Sequence, residues 1–379
     1  MPMIEAPREV LHVGRPNEGD LAMFHKLVEG MFSRRWYTNG GELVQAFEAK
    51  LCEYLGVRHC IPVCNATVGL QIACQALGLE GEVIIPAFTF VASAHAVHWE
   101  GLKPVFCEVD PATHHMDPEY IETLITPRTS AILGVHLWGR SCNIESIQAI
   151  ADRHGLQLFY DAAHAFGVSH GRKMIGNHGR CEVFSFHSTK FIHSFEGGAV
   201  ATNDDVLAEK IRLLKNFGFS GMDNVVHLGT NGKMTEVCAA MGLASLERMN
   251  DILTINRRNH QLYHEVLGSL PGISIFDLQS VEKTNWQYVV VEVDETQSGV
   301  SRDQLLKTLH DNNVRARRYF YPGCHRMQPY ARLFPEQTSR LPLTDALCCR
   351  VLVLPTGTAV TPGNIEYVGY VLQKALLDN

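Results

Sequence analysis

The sequence has no excess of positive charge: 33 lysines and arginines stand against 40 aspartates and glutamates, a formal net charge of -7. That balance argues against general binding to nucleic acid or to an anionic membrane surface, since both need a basic field. It leaves room for a local basic pocket that takes one phosphorylated ligand. Residues Met1–Val10 carry Pro2, Glu5, Pro7 and Glu9 and lack the apolar centre of a secretion signal. The chain also lacks an unbroken apolar run of membrane-spanning length. Its most apolar stretch, Ile61–Leu79, is interrupted by Pro62, Asn65, Gly69, Gln71, Gln75 and Gly78. The cytoplasm is the expected compartment. Eleven cysteines are present without one CxxC pair, so they are expected to be reduced core thiols and not disulfides or metal ligands. His95, His98 and the pair His114-His115 have no carboxylate-rich motif beside them, and they are expected to be surface or hydrogen-bonded residues with no metal. Internal repeats and low-complexity tracts are absent too.

What is there is a rhythm. Strand-like runs at Glu82–Ile85, Pro104–Glu108, Ser130–Val135, Leu156–Tyr160, Val183–Phe186 and Ala199–Thr202 alternate with helical patterns at Thr67–Leu77, Ala92–Trp99, Pro118–Leu124 and Ile144–His154. Strand–helix repetition of this kind implies an α/β protein, a mostly parallel sheet between helices. Asp205–Phe217 and Thr235–Asn259 read as helical, Gln287–Val293 as a half-buried strand, and Ser301–Asn312 and Glu366–Leu377 as helices. The rhythm changes near Asn250–Arg258. A large domain over 1–250 and a small α+β domain over 251–379 are expected, with the first thirty or so residues able to pack on the small one.

Ligands of open parallel sheets sit at the carboxyl ends of strands, and three such ends carry unusual residues. Asn65-Ala66-Thr67 leads from a strand into a helix. The free N–H groups of Ala66 and Thr67 suit a phosphate, although alone the segment also reads as a plain N-cap. Asp161 ends an apolar strand before Ala162-Ala163, which again reads alone as a cap. A carboxylate there also suits the proton on a pyridine nitrogen, as in pyridoxal phosphate. Lys190 follows a strand through Ser185-Phe186-His187-Ser188-Thr189, ahead of Glu196-Gly197-Gly198. Partial desolvation would lower its pKa and favour Schiff-base chemistry, while a structural pairing with Glu196 is the alternative. Phosphate site, aspartate, then Ser-x-x-x-x-Lys is the order found in pyridoxal-phosphate enzymes of fold type I.

Longer segments carry a resemblance. Trp36-Tyr37-Thr38-Asn39-Gly40-Gly41, Gly81–Phe90, Val135-His136-Leu137-Trp138-Gly139, Asp161-Ala162-Ala163-His164-Ala165, Ser185–Lys190, Glu196-Gly197-Gly198-Ala199, Gly229-Thr230-Asn231-Gly232-Lys233-Met234 and Tyr319-Phe320-Tyr321-Pro322 with His325 and Pro329-Tyr330 resemble the DegT/DnrJ/EryC1/StrS sugar aminotransferases. The resemblance covers roughly residues 30 to 355.

It implies the aspartate aminotransferase-like fold, pyridoxal 5′-phosphate as cofactor, Lys190 as Schiff-base lysine and proton shuttle, and Asp161 at the ring nitrogen. Phe90 matches the aromatic residue on the ring face, and His164 stands where many members have Gln near the ring hydroxyl. Ala66, Thr67 and Ser185 match phosphate ligands. Asn231 matches an asparagine that reaches the phosphate from the neighbouring subunit, which implies a homodimer with composite sites. A lysine at 190 disfavours the dehydratase branch, which has histidine there. The motifs look most like enzymes that aminate C4 of dTDP-4-keto-6-deoxyglucose with L-glutamate as donor. Lys233, Arg317 and Arg318 are candidate cations for the nucleotide diphosphate, with Tyr321 and His325 near the sugar. Gly232 and Lys233 depart from the family's aromatic-Arg pair. Rival readings are a 3-keto sugar or cyclitol aminotransferase, and a non-catalytic regulatory homologue. Intact Lys190, Asp161 and Ser185 argue against the last.

Overall fold

In the computed structural model, which describes residues 6–7, 9–278 and 282–377, seven strands form the central sheet. They are β1 (His59–Val63), β2 (Glu82–Pro86), β3 (Lys103–Cys107), β4 (Thr129–Val135), β5 (Gln157–Asp161), β6 (Glu182–Ser185) and β7 (Gly198–Thr202), in the spatial order β1-β7-β6-β5-β4-β2-β3. Only β7 runs antiparallel to its neighbours, β1 and β6. The expected α/β class and mostly parallel sheet are observed.

Nearly every residue of these strands is buried, as a sheet covered on both faces requires. Alternation then assigns side chains to one of two cores. Ile84, Ile132, Leu158, Tyr160 and Phe184 enter one, while Val83, Ile85, Leu133, Phe159 and Val183 enter the other.

Between strands lie α1 (Ala66–Leu77), α2 (Val91–Trp99) and α3 (Ile144–His154). Helices α1 and α3 are bounded by their own sequence. Asn65 accepts from the Val68 amide at 2.9 Å and Asn143 from Ser146 at 3.1 Å, and each helix ends on a left-handed glycine, Gly78 or Gly155.

A second, three-stranded antiparallel sheet joins Ile273–Ile275, Val289–Val293 and Val351–Leu354. Helix Pro362–Leu377 packs in the core that this sheet shares. The stretch Thr235–Asn259, expected to be helical, holds two helices, Glu236–Glu247 and α4 (Met249–Leu267), which meet at Arg248. Ile252 of α4 lies in the core of the large sheet, whereas Tyr263 and Leu267 lie in the core of the small one. Near the N-terminus, Leu11–His12 pairs in parallel with Val314–Arg315.

All eleven cysteines are free thiols. Of the two expected settings, surface or hydrogen-bonded, His114 and His115 take the second: they are buried, at 0% and 2% exposed, with His114 paired to Glu292 at 2.9 Å and His115 accepting from Leu137 N–H at 3.3 Å. His114 stacks on Phe276 within an aromatic cluster. Among the described residues, no group of His, Cys, Asp and Glu is placed to hold a metal, and no helix is long and apolar enough to cross a membrane.

Candidate active site

The parallel strands end together, and their last residues wall a cavity of about 550 Å³. Asp161 closes β5, Ser185 closes β6, Asn65–Thr67 leave β1, and Thr89–Phe90 follow β2. Because β7 is antiparallel, its first residue, Gly198, lies at this same end, opposite both Val63 and Ser185. A Cβ on Gly198 would stand 2.7 Å from the Ala66 amide nitrogen and 2.9 Å from the Asn65 carbonyl carbon. Glycine there lets β7 lie against the start of α1.

Ala66, Thr67, Phe90, Asp161, His164, Ser185 and Lys190, seven of the eight residues expected to hold a cofactor, line this one cavity. The Lys190 loop is braced from both sides. Phe186 N–H donates to Gly197 O at 2.8 Å, Lys190 N–H to His187 O at 2.9 Å, and the Gln287 amide to Thr189 O at 2.8 Å. Part of the Lys190 side chain faces the cavity, while the protein packed around the rest strips its hydration. That burial lowers its pKa to about 8, against an opposing pull from Asp161. Glu196 pairs with His187 at 3.6 Å instead of Lys190, which removes the structural-pair alternative.

Asp161 is buried and accepts two hydrogen bonds, from Ala163 N–H at 3.0 Å and from the Ser93 hydroxyl at 2.7 Å. His164 is driven well below the ordinary histidine range by burial and then by the Lys190 charge, so its ring is neutral at pH 7. Its Nδ1 is buried without a partner, and its ring lies 4.5 Å from that of Tyr288. His136 is also neutral, lowered to about 3 by burial. It accepts from Cys142 N–H on Nδ1 at 3.1 Å, so the ring proton sits on Nε2, 2.9 Å from Glu182.

The candidate substrate residues divide. Arg317 lines the cofactor cavity and stacks on Tyr319 at 4.5 Å. Arg318 and Tyr321 stand in an adjoining cleft of about 590 Å³, stacked on each other at 4.3 Å, with Arg318 also bonded to Asp303 at 3.1 Å. Lys233 lies elsewhere, over the Phe217 ring and bonded to Asn216 at 2.9 Å. Asn231 is exposed. His325 is 1% exposed and bonded to Asp345 at 3.0 Å, and it lines neither cavity, so the expected contact with a sugar is not supported by its position.

Sequence reasoning missed Thr89, Ser93, His136, Tyr288 and Tyr319 as site residues. A signal existed for Thr89 and Ser93: two hydroxyl residues four apart, one just before the helix and one in its first turn. Tyr288 and Tyr319 arrive from the region of the second sheet, and local pattern does not report that approach.

The sequence pattern of the DegT/DnrJ/EryC1/StrS aminotransferase family matches residues 21–373. A dTDP-4-amino-4,6-dideoxy-D-glucose transaminase from Shigella dysenteriae is 39% identical over 358 residues, 94% of this chain and 97% of that protein. A GDP-perosamine synthase from Caulobacter vibrioides is 36% identical over 352 residues, 90% of this chain and 92% of that one. Among solved structures, DesI in the presence of its TDP-sugar product superposes with a TM-score of 0.93 at 45% identity, covering 98% of this chain and 94% of DesI.

Proposed function

Because the chain belongs to the DegT/DnrJ/EryC1/StrS aminotransferase family, we propose that it is a pyridoxal-phosphate transaminase that converts dTDP-4-keto-6-deoxyglucose to the 4-amino sugar with L-glutamate as donor. The observation that carries this reading is the Lys190 amine, held near a pKa of 8 in one cavity with Asp161 and the start of α1. The 39% identical dTDP-sugar transaminase and the DesI structure support the substrate class.

The residues fit pyridoxal phosphate at each end. The α1 N-terminus, left close to β7 by Gly198, offers the Ala66 and Thr67 amides to a phosphate, with the hydroxyls of Thr67 and Ser185 beside them. Asp161 is the carboxylate for a protonated ring nitrogen. The unpartnered His164 Nδ1 is an acceptor for the ring hydroxyl, and the half-exposed Phe90 ring is free to cover a ring face. When bound, the cofactor delocalises the charge left on a substrate carbon that has lost its proton.

The rest is the chain's own work. Lys190 would hold the cofactor through its amine and, with that amine free, would serve as the base and acid that takes a proton from one carbon and returns it to another. A pKa near 8 keeps a useful fraction of that amine free at neutral pH. Arg317 attracts the anionic part of each substrate, and Arg318 and Tyr321 continue that surface outward along the cleft. Asn231, exposed in one subunit, completes the phosphate site of a second subunit in a homodimer.

The test is the visible spectrum of the holoenzyme during sequential additions. L-glutamate should bleach the yellow band, and dTDP-4-keto-6-deoxyglucose should restore it. Restoration by the GDP-linked counterpart alone would move the assignment toward the perosamine relatives. A band that glutamate leaves untouched would overturn the transaminase.

A further inference from the structure

Asp161 depends on a second pair of hydroxyls. Ser93, on α2, is fully buried, and its Oγ–H reaches Asp161 Oδ2 at 2.7 Å, a distance suited to a hydroxyl bonded to a charged oxygen. A serine in a helix ordinarily turns its hydroxyl back to the carbonyl four residues earlier. Here that carbonyl belongs to Thr89, and it already receives the Cys324 thiol at 3.4 Å. Thr89 Oγ1 lies 3.1 Å from Ser93 Oγ. Ser93 has one proton and gives it to Asp161, so between the two hydroxyls it can only accept. The chain therefore runs one way, Thr89 to Ser93 to Asp161.

We infer that Ser93, oriented by Thr89, is a positioning residue that holds the Asp161 carboxylate for the ring nitrogen of the cofactor. A carboxylate has about four lone-pair directions. Ala163 N–H and Ser93 Oγ–H occupy one on each oxygen, which fixes the rotation of the group and leaves free directions for an incoming N–H. The titratable groups that face Asp161 are Lys190, from the loop after β6, and His136, at the end of β4. Neither side chain hydrogen-bonds to the carboxylate, so Ser93 is the side-chain donor it has. This inference rests on the cofactor reading above.

Without the Ser93 donor, the Asp161 carboxylate turns more freely and keeps more of its charge for the ring proton, which it draws toward itself. The ring then withdraws less charge from the nitrogen linked to Lys190, and that nitrogen keeps its proton to higher pH. The experiment is a pH titration of the bound cofactor's visible band in the wild-type holoenzyme, Ser93→Ala, Thr89→Val and Thr89→Ser, alongside each cofactor dissociation constant. Ser93→Ala should move the midpoint up by about half a unit or more and weaken cofactor binding by about threefold or more. Thr89→Val should shift the midpoint the same way by less, and Thr89→Ser, which keeps the hydroxyl, should match wild type. A purely structural serine would lower thermal stability and leave the midpoint alone, and that result overturns the inference while the transaminase reading stands. If Ser93→Ala does not fold, an unchanged midpoint in Thr89→Val overturns it equally. A wild-type protein with no visible band overturns both.

Discussion

Burial and Asp161 act on Lys190 in opposite senses: burial lowers the amine to about 8 and the carboxylate pulls it back up. The pH consequence has a definite sign. Below about 8 the amine is protonated and unreactive, and above it the free base is available. Capture of pyridoxal phosphate by the apoprotein, followed by growth of the visible band, should therefore speed up with pH and reach half its limiting rate near 8. An ordinary exposed lysine would keep accelerating to about 10.4. Lys190→Ala should form no covalent band and should have no measurable transamination. Asp161→Asn should retain bound cofactor and lose on the order of 10²–10³ in kcat, as removal of one oriented charge typically does, measured by steady-state turnover. At this scale the sequence was informative for Lys190 and Asp161, because each follows a recognisable strand. It was uninformative for Tyr288 and Tyr319, whose proximity comes from packing between the two sheets, and for the setting of His325, which lies outside this cavity, buried beside Asp345.

Among elements, the approach of β7 to α1 decides whether the helix terminus can receive a phosphate. Gly198→Ala would put a Cβ against backbone atoms of Asn65, Ala66 and Phe184, none of which can rotate away. The expected cost is about 1–3 kcal/mol of stability from overpacking. Displacement of the α1 terminus should also weaken cofactor binding by about tenfold or more, read by equilibrium titration against a thermal melt. Most of these elements were legible: Pro118–Leu124 and α3 match their expected bounds, and the strands differ by a residue or two at their ends. Period and caps account for that success. Glu42–Leu55 carries the same kind of pattern, burying Leu43, Val44, Phe47, Leu51 and Leu55 along one face. Leu11–His12 has two residues and no period, and only its partner Val314–Arg315 makes it a strand. The break at Arg248 was hidden because helical propensity continues on both sides of it.

For the molecule as a whole, the loop after helix Asp205–Leu214 presents Met222 and Leu228 at more than 90% exposure, with Phe217 and Val225 about half exposed. Apolar surface of this kind suits the subunit interface proposed above, and it precedes Asn231 in the chain. If each site borrows Asn231 from the other subunit, Lys190→Ala and Asn231→Ala homodimers will both be impaired. Mixed by reversible dissociation, they should recover about a quarter of wild-type activity, because half the dimers become hybrid and each hybrid has one intact site. Failure to recover activity in demonstrated hybrids would place Asn231 in its own subunit's site. The sequence carries an interface of this kind only through resemblance, since no local pattern says what covers an exposed methionine. Helix α4 has a different consequence. Ile252 is rooted in one core and Tyr263 in the other, roughly 16 Å further along a single rod. Neither half can melt without exposing the other's buried residues, so calorimetry should show one heat-absorption peak, and a polypeptide started at residue 251 should stay insoluble or unstructured.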